Sequence, residues 1–109
     1  MPRGRTYSPI ALEAASLLGA RVRLARRERG WTLRELAERV GVTQPTMSKI
    51  ERGDPSVGLG VALEAAALAG VPLFDEDRSR VRLEAAQVEG RLALLPQLVR
   101  KPAEPDDDF

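Results

Sequence analysis

The sequence predicts an all-α protein of five helices, and three kinds of signal carry that prediction. Helix-start residues recur along the chain: Ser8 before Pro9, Thr32 three residues before Glu35, and Thr43 two before Pro45. Apolar residues after each start follow helical spacing. Gly30, Gly41 and Gly70 stand where three of the runs stop. A chain of 109 residues has room for one small domain and a tail, not for two cores.

Residues 1–8 read as a flexible basic arm carrying Arg3 and Arg5. Ser8 caps the first helix, with Pro9 at the first helical position, where its missing N–H is not needed. Ala11, Ala14, Ala15, Leu18, Val22 and Ala25 form the inner stripe, and Gly19 within it weakens the case for one unbroken helix. In the second helix Thr32 and Glu35 fit a capping box, with Trp31 and Leu36 placed as a hydrophobic staple. Gly41 ends that short helix. Thr43 caps a third, running to about Arg52, in which Val42 and Met47 repeat the staple; Gly53-Asp54-Pro55 breaks it.

A fourth helix is expected from near Ser56 to Ala69, with Leu59, Ala62, Leu63 and Ala66 on one face. Val71 to Phe74 follows as an extended stretch or a bend. Asp75, Glu76 and Asp77 suit the start of a fifth helix, because carboxylates there oppose the helix dipole. Val81, Ala85, Val88, Leu92 and Leu95 then make a heptad-like seam that Pro96 closes. The last ten residues hold two prolines and four acids and are expected to be disordered. The predicted organisation is an arm (1–8), a compact domain (9–74), a C-terminal helix for dimer or partner contact (75–99) and an acidic tail (100–109).

Composition narrows the function. No Cys and no His are present, which removes thiol nucleophiles, imidazole chemistry and most metal sites, so neither an enzyme nor a cofactor is expected. Aromatics at 4% disfavour stacking on single-stranded nucleic acid. No apolar run approaches the roughly 18 residues of a membrane span, and no leader-like segment opens the chain, so a cytoplasmic location without membrane contact is expected. The net charge of +1 hides an asymmetry. Residues 1–60 hold eleven Lys/Arg against six Asp/Glu, and residues 61–109 hold six against ten. A basic half beside an acidic half points to a polyanion-binding module joined to something else.

Two helices joined by a short turn around Gly41 have helix-turn-helix spacing. Ala37 is small where the next helix crosses, and Leu36, Val40, Val42, Met47 and Ile50 are placed to bury the joint. Thr43, Gln44, Thr46, Ser48, Lys49 and Arg52 are left on the outer side of the third helix. Those groups hydrogen-bond base edges or phosphates in a major groove, and that side carries two cations and no acid. Glu51 falls toward the first helix.

Residues 18–70 resemble the five-helix, lambda-repressor-like Xre/Cro type of helix-turn-helix domain, on the run WTLRELAERVGVTQPTMSKIERG. Thr6-Tyr7-Ser8-Pro9 ahead of the first helix, the Trp31 form of the motif, the Ser56-Val57-Gly58-Leu59-Gly60 run and the final DDDF are similar to HipB-like antitoxins. The resemblance implies that Gln44 reads a base with Ser48 and Lys49 beside it, and that Arg52 and helix-start amides hold phosphates. It also implies an Arg26–Glu51 ion pair. Leu33 stands where the family often has a Gln that braces the recognition Gln, which leaves Arg34 as the candidate for that phosphate contact. The implied assembly is a homodimer on an inverted-repeat operator in double-stranded DNA, close to the nucleoid. The implied partner is a HipA-like serine/threonine kinase toxin.

For partner contact the candidates are Val81, Val88, Leu92 and Leu95 on the seam, and Asp106, Asp107, Asp108 and Phe109 in the tail. The acidic tail either docks in a basic groove of a protein partner or folds over the chain's own basic face. Two other readings stay open: a stand-alone Xre-type regulator without a toxin, and an interaction module whose helix-turn-helix binds protein.

Overall fold

The computed structural model describes residues 5–96. The expectations for Arg3 and for the acidic tail, including Asp106, Asp107, Asp108 and Phe109, lie outside the described residues. Five helices form, α1 (Pro9–Glu28), α2 (Leu33–Val40), α3 (Gln44–Glu51), α4 (Leu59–Ala69) and α5 (Arg78–Leu94), and no strand forms among the described residues. The chain divides into two compact units, one ending at Leu73 and one starting at Phe74.

In the first unit α1 and α2 each pack on both α3 and α4. Their shared core is Val22, Leu36, Ala37, Met47, Ile50, Ala65, Ala66, Ala69 and Val71. Leu36, Met47 and Val22 are fully enclosed, each contributing about 1.5–3 kcal/mol of apolar burial. The helix starts follow the expected chemistry. The Ser8 hydroxyl accepts from the Ala11 amide. Thr32 and Glu35 exchange reciprocal hydrogen bonds of 3.0 and 2.8 Å, a complete capping box. Gly41 takes a left-handed φ of 86°, which a side chain would strain, and turns the chain from α2 into α3.

Several expectations are corrected. α1 runs unbroken through Gly19, because α3 crosses it there: a Cβ on Gly19 would meet the Ile50 carbonyl and lie 2.7 Å from the Glu51 carbonyl oxygen. The inner stripe of α1 accordingly starts at Leu18, while Ala11 and Ala14 stay exposed. α4 begins at Leu59, not near Ser56, because Asp54 captures both the Ser56 amide (2.9 Å) and its hydroxyl (2.6 Å) in a turn. Its buried face is Ala65, Ala66 and Ala69, and Leu59 faces outward.

In the second unit Asp77 caps α5 by accepting from the Ser79 amide. Within its own unit α5 buries no residue. Leu95 is the C-cap in extended conformation, so it leaves the helical seam, which is Val81, Ala85, Val88 and Leu92.

Candidate nucleic-acid interface

The candidate surface is the outer side of α3. The ends of that helix are fixed by local chemistry. The Thr43 hydroxyl accepts from the Thr46 amide at 3.2 Å and donates to the Thr46 hydroxyl at 3.1 Å. Thr43 and Thr46 are thus held at the helix start, where their oxygens order the first turn. Met47 and Ile50 point into the core. That anchoring leaves Gln44, Ser48 and Arg52 at i, i+4 and i+8 along one line, with Lys49 beside them; Gln44, Lys49 and Arg52 are exposed and Ser48 half-buried. Arg52 donates to the Ser48 hydroxyl at 2.7 Å, which lays the guanidinium along the helix.

Glu51 lies on the opposite side of α3. It forms a two-point ion pair with Arg26 of α1, at 2.7 and 2.9 Å, with 9% and 6% of the two side chains exposed. Arg26 also donates to the Trp31 carbonyl at 2.9 Å. One guanidinium therefore ties α1 to α3 and to the segment that opens α2. The hydrogen bond to Glu51 raises the Arg26 pKa, partly opposed by burial. The consequence for the surface is electrostatic: the only carboxylate of α3 is neutralised away from it.

Arg34, on α2, points to Glu38 one turn on, at 3.2 Å, with both side chains open to solvent. An exposed pair of this kind is weak and yields to a stronger anion. Thr43, Gln44, Thr46, Ser48, Lys49 and Arg52 are thus gathered on α3 and its cap, while Arg34 is engaged on a different helix.

One feature of the surface was not predicted. A hollow of about 240 Å³ lies beside α3, lined by Thr46, Lys49, Ser56, Val57, Gly58 and Val61. The start of α4 opens onto it, with Gly58 at the N-cap and no side chain capping the first amides. The only signal was the Asp54-Pro55-Ser56 spacing, an Asx-turn pattern that competes with Ser56 for the role of helix cap. Asp54 sits within electrostatic reach of Lys49 and Arg52, and its hydrogen bonds to Ser56 hold its pKa below the ordinary carboxylate value.

On the second unit Val81 is half-buried, and Val88, Leu92 and Leu95 are exposed. Among the described residues no helix is long and apolar enough to cross a membrane.

Residues 17–81 match the family model of a helix-turn-helix domain. No curated protein sequence matches the chain. Among solved structures, the chain is similar to a HipB–O2 20mer complex carrying a serine-to-alanine change in HipB, with TM-score 0.48 and 25% identity over 66% of this chain and 92% of that one. It is similar to the same degree to a HipA–HipB–O2–O3 complex, with TM-score 0.48 and 25% identity over 65% and 92%.

Proposed function

The chain belongs to the helix-turn-helix domain family through residues 17–81, and from that premise of a DNA-binding regulator we propose a sequence-specific repressor that acts as a HipB-like antitoxin. The observation that carries the DNA reading is the outer side of α3. It is anchored by Met47 and Ile50 and capped by Thr43. It presents Gln44, Ser48, Lys49 and Arg52, with its one acid turned away into the Arg26 pair.

In this reading α3 enters a major groove of an operator. Gln44 pairs with a base edge, and Ser48 and Lys49 contact its neighbours. Arg52 and the helix-start amides beside Thr43 and Thr46 hold phosphates, and the hollow between Lys49 and the first turn of α4 seats another. Arg34 exchanges Glu38 for a phosphate on docking. Two copies bind an inverted repeat. No catalytic role is assigned.

The antitoxin part rests on the sequence: Thr6-Tyr7-Ser8-Pro9, the Trp31 form of the motif, and the acidic end with Phe109. It assigns a HipA-like kinase as partner, held by the seam, the tail or both. A stand-alone regulator is the second reading, since α5 with its exposed Val88 and Leu92 suits dimerisation alone.

Selection from random duplexes tests the DNA part. The expected product is an inverted repeat, and Gln44→Ala is expected to relax preference at one position of each half-site. Recovery of no common sequence would leave the protein-interaction module. Co-purification from the native host tests the rest. A kinase recovered with the full chain, and lost with a chain ending at Arg100, supports the antitoxin; a homodimer alone from both supports the stand-alone regulator.

A further inference from the structure

We propose that α5 pairs with α5 of a second copy of this chain, antiparallel, in a register that sets Val81 against Leu92 and Ala85 against Val88. The proposal rests on the homodimer in the reading above and on none of its DNA contacts.

α5 is 17 residues long and buries none of them in its own unit. A helix of that length depends on packing rather than propensity, so a face of it needs cover. Val81, Ala85, Val88 and Leu92 alternate by four and three residues, the spacing of the d and a positions of a two-helix seam. Phe74, Val81, Glu84, Ala85 and Val88 surround a hollow of about 320 Å³ on that side of the helix. In the stated register Leu92 of the second copy, lying opposite Val81, enters it. Gly90 falls on the outer side, where nothing approaches it, and therefore does not interrupt the seam.

Charge selects the occupant and its direction. With Val81 and Val88 at d, the flanking e positions are Arg82 and Glu89, and the flanking g positions are Glu84 and Arg91. Among the described residues none of these four forms an ion pair within the chain. Parallel pairing sets g against the following e, which opposes Glu84 to Glu89 of the other copy, twice. Antiparallel pairing sets e against e and g against g. Arg82 then meets Glu89, and Glu84 meets Arg91, each twice by the two-fold symmetry. The same register that aligns the apolar layers aligns all four opposite-sign pairs. A helix that is self-complementary in this way fits a copy of itself.

The test is sedimentation velocity of the full chain without DNA, over a range of concentrations, with circular dichroism to confirm that helix content is kept. The wild type is expected to dimerise, and more weakly at high salt. Glu89→Arg turns two attractive pairs into two repulsive ones and is expected to weaken dimerisation about tenfold. The double variant Arg82→Glu with Glu89→Arg restores opposite signs and is expected to recover the wild-type constant. In a parallel pair the single variant would instead bring the introduced arginine to Glu84 and strengthen association. That result overturns the proposal, as does an unchanged constant. A wild type monomeric at every concentration overturns it too, and leaves the seam to the chain's own tail or to another protein. All of these are read without an operator, so a failed DNA reading would leave them untouched.

Discussion

At the residue scale, opposite fates of like groups shape the proposed interface. Glu51 and Asp54 lie three residues apart, yet one is paired with Arg26 and the other, half-buried, sits within electrostatic reach of Lys49 and Arg52. Glu51→Ala leaves Arg26 as an unpaired charge in a nearly enclosed place, and is expected to cost about 3 kcal/mol or more in urea unfolding. Arg26 keeps its charge under ordinary conditions. Arg26 has a raised pKa, so its contribution is complete below the unfolded value and is lost only as pH rises through the folded one, far into alkali. Asp54 has the opposite sign. Its lowered pKa means that its contribution is present above the ordinary carboxylate value and is lost as pH falls through the folded one. Acid should therefore loosen the turn before α4, seen as faster amide exchange at Ser56, whereas Asp54→Asn should abolish that dependence. The same variant keeps an acceptor for Ser56 and removes a negative charge next to two cations. Duplex affinity should rise severalfold in Asp54→Asn and fall in Lys49→Ala, with the helix content of both unchanged. Equal affinities in a titration at fixed salt would remove Lys49 and its neighbours from the interface.

At the element scale, what was legible in the sequence is what the chain decides locally. Ser8, Thr32 with Glu35, and Thr43 each cap the helix that their spacing announced, and Gly41 turns where a left-handed residue was needed. The misread start of α4 is instructive because the competition is local too. Ser56 has the composition of a cap, but Asp54 two residues earlier takes its amide and hydroxyl first, and the helix waits until Leu59. Gly19 was illegible for a different reason. In sequence it is a weak helix residue; in the fold the backbone of α3 at Ile50 and Glu51 comes too close to leave room for a side chain there. Gly19→Ala improves helix propensity by roughly 1 kcal/mol, yet the added methyl has to push aside the backbone at Ile50 and Glu51. The second effect wins, because backbone has nowhere to yield without moving Met47 and Ile50 in the core. Thermal or urea unfolding should show a net loss of about 2 kcal/mol or more. A stabilised variant would mean that α1 and α3 do not cross as closely as described. The arrangement of Gln44, Ser48 and Arg52 was legible from period alone, whereas the hollow beside Lys49 depends on where α4 begins and so was not.

At the scale of the whole molecule, the division at Leu73 separates two kinds of stability. Among the described residues every buried apolar residue, from Val22 to Val71, lies in the first unit, while α5 encloses none of its own. A fragment ending at Leu73 is therefore expected to melt cooperatively near the temperature of the full chain, since it retains that core and the three side-chain caps Ser8, Thr32 and Thr43. Its DNA binding should change in a way that counts copies. The logarithm of affinity falls with the logarithm of salt in proportion to the phosphates neutralised, at about 0.9 per contact. Two copies tied through α5 neutralise two half-sites at once, and untied domains neutralise one each. If α5 joins the copies, the fragment should bind the inverted repeat with about half the salt slope of the full chain. Its affinity should then lie close to that for a single half-site, because the second domain no longer arrives at high effective concentration. An unchanged slope would place the joining surface within the first unit, where α5 plays no part in assembly. A fragment that failed to melt cooperatively would instead show that the core of the first unit is insufficient by itself. The two measurements are independent: the first reads the core, and the second reads the number of domains on the duplex.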